Sequence, residues 1–418
     1  MKINNKYIQS IAILASGSVL GQVIGFIGSM FMTRIYTQVE IGIMTTIVAV
    51  SGIFAPVING RFDFAVVKEQ DPKRVLHVVS LAILFGTILS IIVSLGSIVY
   101  FYSVDEFMSA PIAALFVLLI LIIQAFTNVF KSYNNNIGDY KTMTWVIVLR
   151  KLAEEISMVV FGLLSCGSIG LLVSRVIGQM AGLRREMRNI KHQFSEILKV
   201  KKSEIVNAFN IHKRQLYYST PAALLNAASY SMISLFIGQL YGMQTVGLYA
   251  ISFAVLGLPL SVISGNVSKV YFSEASKEAA KEGSFHKCTM KTLYMMIPLA
   301  FLLWIAMYYI VPMLIPYVYG KNYLESGVFV QILAIMFAIR FVSSSLNTGL
   351  VVANKQFVEL IVQVWFIISL ISVFIYAKHN GLGIRGFLMG CSITYSIIYA
   401  VNLLFIIKYS RAQIVNEN

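Results

Sequence analysis

The chain is poor in charge, and poorest in negative charge. Only 12% of its 418 residues are charged, and 33 lysines and arginines stand against 18 aspartates and glutamates. An average soluble domain carries about 25% charged residues. Cysteine is scarce too. Cys166, Cys288 and Cys391 lie far apart, which excludes a disulfide framework and any zinc-type ligand spacing. The five histidines are also scattered, which argues against a metal enzyme. No G-x-x-x-x-G-K-[ST] loop occurs, so the chain is not an ATP-driven pump by itself. The polar–apolar alternation of a membrane β-barrel is missing as well.

What the chain has is apolar length. Hydrophobic residues make up 58% of it and the mean hydropathy is +0.77, so it reads as an integral membrane protein. Runs of about 20 apolar residues span a bilayer as helices. Twelve are expected, near 11–32, 41–59, 77–102, 110–130, 143–165, 168–186, 221–240, 247–268, 290–315, 327–352, 358–378 and 384–408. The fifth and sixth carry charge. The first run is too long for the core of a signal peptide and leads straight into further spans.

The net charge of +15 is distributed by the spans. Lys and Arg collect before span one, after spans two, four, six and eight, and at the C-terminal end, with the largest cluster between Arg184 and Arg214. The alternate loops are poor in positive charge, including "YSVDEFMSA"; Lys321, Lys378 and Arg385 are the exceptions. The positive-inside rule then puts both termini in the cytoplasm. A nucleic-acid site would show aromatic interleaving or a known module, and neither is present.

The two halves repeat each other. At an offset of 205, Tyr36, Gly42, Ala49, Val50, Gly52, Val57, Ile58 and Gly60 meet Tyr241, Gly247, Ala254, Val255, Gly257, Val262, Ile263 and Gly265. Six spans per half is an even number, so the repeat is parallel, with its axis along the membrane normal. The expected organisation is a six-helix lobe over 1–186, a basic cytoplasmic linker over 187–220 and a second six-helix lobe over 221–418. The linker includes an amphipathic stretch suited to an interface.

Ionisable residues inside spans are expensive and therefore candidates for function. The positive ones, inside spans or at their ends, are Arg34, Arg61, Arg150, Lys151, Arg175, Arg340 and Arg385; of these Arg34, Arg61, Arg150, Arg175 and Arg340 are the candidates for binding. Arg150 with Glu154, and Lys151 with Glu155, are spaced to neutralise one another along one helix face. Arg61 and Asp63 sit at a helix end, where snorkelling to the interface competes with ligand contact. Arg175 and Arg340 have no acidic neighbour within a turn. Each needs either a carboxylate from another helix or an anionic ligand, and guanidinium groups bind phosphate well. Asp63, Glu154 and Glu155 are the acidic candidates for ion coupling. Tyr36, Tyr230, Tyr241 and Tyr249 suit either a sugar route or interfacial anchoring.

Several stretches together resemble a known family: "SMFMTRIYTQVEIGIM", "NGRFDFAVV", "GLLVSRVIGQMAGL", "ISGNVSKVYFSEASKEAAKEG" and "IPYVYGKNYLESGVFVQILAIMFAIRFVSSSLNTGLVVANKQ". The chain resembles bacterial polysaccharide (O-antigen or capsule repeat-unit) flippases of the multidrug/oligosaccharidyl-lipid/polysaccharide exporter superfamily. The resemblance implies an all-α polytopic protein of two six-helix lobes, V-shaped around a cationic central cavity. It implies a non-enzymatic transporter in the bacterial cytoplasmic membrane, moving an undecaprenyl-pyrophosphate-linked oligosaccharide to the outer leaflet, with other polysaccharide assembly proteins as partners. No cofactor is implied. The drive stays open between a proton gradient, a sodium gradient and the membrane potential. A cation-coupled multidrug exporter of the same fold is the alternative. A polysaccharide polymerase or ligase fits less well, because the outer loops are short.

Overall fold

The computed structural model describes residues 5–104 and 109–411. Lys2 and the Asp105–Met108 part of the acidic outer loop lie outside them. No strand occurs among the described residues. The helices are α1 (Asn5–Ile35), α2 (Gln38–Phe54), α3 (Phe62–Lys68), α4 (Pro72–Tyr102), α5 (Ala110–Asn136) and α6 (Tyr140–Leu163). Next come α7 (Gly167–Met180), α8 (Leu183–Glu186), α9 (Phe194–Leu198), α10 (Lys202–Arg214), α11 (Thr220–Pro259) and α12 (Gly265–Glu282). The last six are α13 (His286–Ile305), α14 (Val311–Val318), α15 (Leu324–Leu346), α16 (Gly349–Val352), α17 (Gln356–His379) and α18 (Ile384–Arg411).

Eight helical stretches among the described residues are long and apolar enough to cross a membrane. One of them, Thr220–Glu282, holds two of the expected spans in 63 residues. Its backbone leaves the helical region at Gly242 (φ 80°, ψ 171°), where the expected outer loop lies. A residue without a Cβ accepts that conformation at little cost. Counting this stretch twice and adding α2, α6 and α7 gives the twelve expected crossings. The protein is an all-helical polytopic membrane protein.

The chain divides into two compact units, Met1–Gly247 and Leu248–Asn418. In the first, α1 packs on α6, α4 on α5, and α6 on α7. The approach of α1 to α6 follows from a glycine stripe. Gly17, Gly21, Gly25 and Gly28 face Thr144, Ile147, Lys151 and Glu155 in turn, and a Cβ on Gly28 would overlap the Glu155 carboxylate. Small residues at this spacing let two membrane helices come close. Deeper in the unit, Asn59 is 1% exposed, and its Nδ2 donates to the carbonyls of Ala82 (3.0 Å) and Ala125 (3.2 Å), tying the turn after α2 to α4 and α5.

The basic segment after α8 packs onto the first unit. Ile190, Ile197 and Ala208 are buried with Phe62, Val66, Val79 and Phe130. Burying an isoleucine side chain contributes about 1.5–3 kcal/mol, so these residues hold the segment on the protein, while Val206, Ile211 and Tyr217 remain exposed.

In the second unit α13, α15, α17 and α18 pack together, and Tyr271, Phe285, Phe341, Leu346 and Ile406 form a core. Between α13 and α14 a wider five-residue turn spans Ala306–Ile310. Pro312 has no N–H to offer the Tyr308 carbonyl. Gln331 Nε2 donates to that carbonyl instead, at 3.0 Å.

Candidate functional site

The site is built around the turn that joins α2 to α3. Gly60 and Arg61 both adopt left-handed backbone angles, φ 59° and 62°. For an arginine this conformation is uncommon and costs energy. It closes the turn that follows α2 and leads into α3. The C-terminal carbonyls of α3 are then held by α5: Asn136 Nδ2 donates to Val66, Val67 and Glu69, at 3.0, 3.2 and 2.9 Å.

A cavity of about 350 Å³ lies against this turn, lined by Arg61, Asp63, Lys68, Asn128, Lys131 and Ser132 among others. Three cations thus stand against one carboxylate. The Arg61 guanidinium stacks 4.0 Å from the Phe64 ring centroid, and its Nε donates to Ser219 Oγ at 3.2 Å. Asn128 Nδ2 donates to the Ala55 carbonyl and to Asn59 Oδ1, both at 3.2 Å, which fixes the cavity wall to the α2–α4–α5 staple. Asp63 is 8% exposed. Burial raises its carboxyl above the ordinary range, with Arg61 pulling the other way. The cavity can therefore hold an anion, with Asp63 as the group that opposes it. The sequence left Arg61 and Asp63 open between snorkelling and ligand contact; the structure places both on the cavity wall.

The other charged candidates in the first unit form a separate network. Arg175 Nη1 donates to Glu154 Oε1. Lys151 Nζ lies 3.3 Å from Glu154 and 3.6 Å from Glu155. Of the two partners open to Arg175, a carboxylate from another helix is the one present. The expected Arg150–Glu154 pair gives way to a different one. Arg150 Nη2 donates to Glu186 Oε2 (2.8 Å) and Thr127 Oγ1 (3.0 Å), and its Nε donates to the Ala181 carbonyl (3.2 Å). Glu154 faces α7, so α8 supplies the acid for Arg150. Arg34 Nη1 donates to the Met30 carbonyl at 2.9 Å. In the second unit, the Arg340 guanidinium lies 5.3 Å from the Phe337 ring centroid, and Arg385 makes a two-pronged pair with Glu325 at 2.8 and 2.9 Å.

Two of the four tyrosines are buried in packing. Tyr36 is 5% exposed, and its hydroxyl donates to the Met158 carbonyl at 2.8 Å. Tyr249 is 2% exposed. Tyr230 and Tyr241 are half-buried. The sequence reading passed over Glu186, the glycine stripe of α1 and Glu359. The stripe's regular spacing in span one, and the position of Glu359 just inside span eleven, were signals on hand.

Residues 31–328 match the family of polysaccharide biosynthesis proteins. The chain belongs to that family. Among solved structures its fold is similar to a lipid II flippase, MurJ, in an inward closed conformation: TM-score 0.67, 16% identity, 96% of this chain and 87% of that one covered. It is also similar to a multidrug resistance MATE family transporter of the MOP superfamily in an inward-facing conformation (TM-score 0.63, 15% identity, 97% and 96% covered). An outward-facing conformation of such a transporter matches with TM-score 0.61, 12% identity and 96% of each chain covered. At these identities the likeness is one of fold. No curated protein sequence matches the chain.

Proposed function

We propose that this polysaccharide biosynthesis protein moves an undecaprenyl-pyrophosphate-linked oligosaccharide from the inner to the outer leaflet of the bacterial cytoplasmic membrane by alternating access. The product would feed a surface glycan of the O-antigen or capsule kind. The reading rests on one observation above all, the cavity in which Arg61, Lys68 and Lys131 outnumber Asp63. A sugar pyrophosphate cannot cross hydrocarbon unaided, because each unmatched polar group costs kilocalories. A cationic recess on the side of the basic loops offers the headgroup charge compensation, while the polyprenyl tail stays in lipid. Arg61 is the proposed anchor; Arg34 and Arg340 are secondary candidates. Arg150 and Arg175 already hold carboxylates, so their proposed task is to shape the first unit.

The sequence repeat supports a division into six-helix lobes over 1–186 and 221–418, with both termini cytoplasmic. Coupling to protons, sodium ions or membrane potential fits equally, with Asp63, Glu154 and Glu155 as carriers in the first unit. The fold likeness to MATE transporters favours a second reading, export of small cationic molecules. Deletion of the chain's gene separates the two. Accumulation of a lipid-linked oligosaccharide on the inner leaflet supports the flippase, and altered drug sensitivity with unchanged surface glycan supports the exporter.

A further inference from the structure

The cationic turn is held from outside its own spans. Gly60, Arg61 and Phe62 follow one another, and each meets the segment that joins the sixth and seventh spans. A Cβ on Gly60 would lie 3.2 Å from Leu216 Cδ1. Arg61 Nε donates to Ser219 Oγ at 3.2 Å. The fully buried Phe62 ring lies 6.0 Å from the Phe209 ring, centroid to centroid. Phe209 belongs to α10; Leu216 and Ser219 belong to the wider five-residue turn Gln215–Ser219 that follows it. Thr220 Oγ1 donates to the Gln215 carbonyl across that turn, at 3.2 Å. Wide turns inside helices are frequent at functional positions.

An arginine with a left-handed backbone persists only where its surroundings fix it. Here the fixing groups include a residue 158 positions further along the chain. The same contacts set the aim of the side chain. A guanidinium carries one N–H on Nε and four on the two Nη atoms, all in one plane. Ser219 takes the Nε donor, and the Phe64 ring lies against the plane. Among the described residues, Nη1 and Nη2 of Arg61 make no hydrogen bond or ion pair. Their edge is left for a two-pronged contact with an oxyanion in the cavity. Lys68 and Lys131 are exposed, and their flexible ammonium groups supply charge without direction.

We propose that Ser219 is the positioning residue for Arg61, so that the docked linker sets the affinity of the cavity for the pyrophosphate group of the substrate. The proposal rests on the anion-binding reading of the cavity, and sulfate is the probe for both. It is titrated calorimetrically into the purified unmodified protein, S219A, S219T, R61Q and S219A/R61Q. S219A should weaken sulfate binding by about fivefold, the effect of about 1 kcal/mol. S219T keeps the hydroxyl and should bind as the unmodified protein does. With Arg61 already replaced, S219A should change nothing further.

Coupling is reciprocal, so a second measurement needs no Ser219 variant to fold. Saturating sulfate, compared with chloride at equal ionic strength, should slow hydrogen exchange across 209–219 several-fold in the unmodified protein and not in R61Q. Undiminished sulfate affinity in folded S219A, or a loss of equal size with and without Arg61, would overturn the proposal and leave the anion-binding reading standing. Exchange across 209–219 that sulfate leaves unchanged would do the same. Sulfate bound equally by the unmodified protein and R61Q would remove the reading itself, and the proposal with it.

Discussion

Gly42 packs against the backbone carbonyl of Met243, and Gly247 packs against the backbone carbonyl of Gln38. Gln38 and Met243 are 205 residues apart (243 − 38), as are Gly42 and Gly247 (247 − 42). One contact is thus the image of the other, as in the self-complementary contact of a two-fold dimer. Sequence identity at a fixed offset is evidence of duplication. This contact adds that the two stretches matched by the offset pack on each other.

A Cβ at either position would overlap a carbonyl oxygen that belongs to helix backbone. G42A and G247A should each destabilise the protein by about 1–3 kcal/mol, the usual cost of overpacking. The double variant should cost less than the sum, because one shift relieves both clashes. Gly257 provides the control, since a Cβ there would meet no atom within 4 Å. Thermal melting of G42A, G247A, their combination and G257A checks this, and equal melting of all four would contradict it.

Arg175 and Glu154 give a second test. The pair is partly buried, at 29% and 18% side-chain exposure, so the loss for R175A is expected at roughly 1–3 kcal/mol, below the 3–5 of a fully buried pair. Most of that loss comes from leaving Glu154 with Lys151 alone. R175Q/E154Q should therefore melt higher than R175Q. If surface-glycan export recovers in the double variant, Arg175 acts through Glu154. If melting recovers and export does not, Arg175 or Glu154 has a task in transport beyond holding the fold.

Asp63 sets a pH dependence on the cavity. Burial raises its carboxyl above the ordinary range, so its favourable contribution is complete below the unfolded value and is lost as pH rises through the folded one. D63N should remove that loss and raise the melting temperature at neutral pH. It should also strengthen binding of sulfate, a probe that does not titrate here, several-fold. R61Q should weaken sulfate binding by about tenfold, in line with the loss of a hydrogen bond to a charged group. Thermal melting reads the first effect and calorimetric titration on the purified variants reads the two sulfate affinities, and identical sulfate affinity in D63N and R61Q would remove the cavity from consideration.

The sequence made the spans legible because an apolar run of membrane length has one stable conformation, the helix. It also made the outer break between spans seven and eight legible, since "YGMQTV" lacks charge and contains the glycine that bends there. Pairing across helices was harder to read. The Arg150–Glu154 spacing was a correct local rule, yet Glu186 arrives from a later helix and takes the arginine. The same holds for Arg175, whose partner lies 21 residues away. Glu359 was missed because one acid near a helix start resembles an interfacial residue. Its partner is Asn347, which in turn accepts from Asn402, a chain that only the fold assembles.

The docking of α10 makes the last prediction. Two histidines face glutamates across its contact, in antiparallel order. His212 Nε2 lies 3.9 Å from Glu69 Oε2, and His77 Nε2 lies 3.8 Å from Glu204 Oε1. Burial lowers the His212 imidazole from its ordinary 6.5, and Glu69 only partly offsets this. The undocked helix therefore binds the proton more readily than the docked one. Docking is favoured above the ordinary value and weakens as pH falls through the folded one. Hydrogen exchange across 202–214 should accelerate between neutral and mildly acidic pH once the intrinsic rates are corrected, while α4 stays protected. H212Q should flatten that response, since glutamine does not titrate. A208D should expose the segment at every pH, because Ala208 is buried among Phe62, Val79 and Phe130. Exchange at 202–214 that is the same at both pH values in the unmodified protein would show that the apolar contacts alone hold the helix.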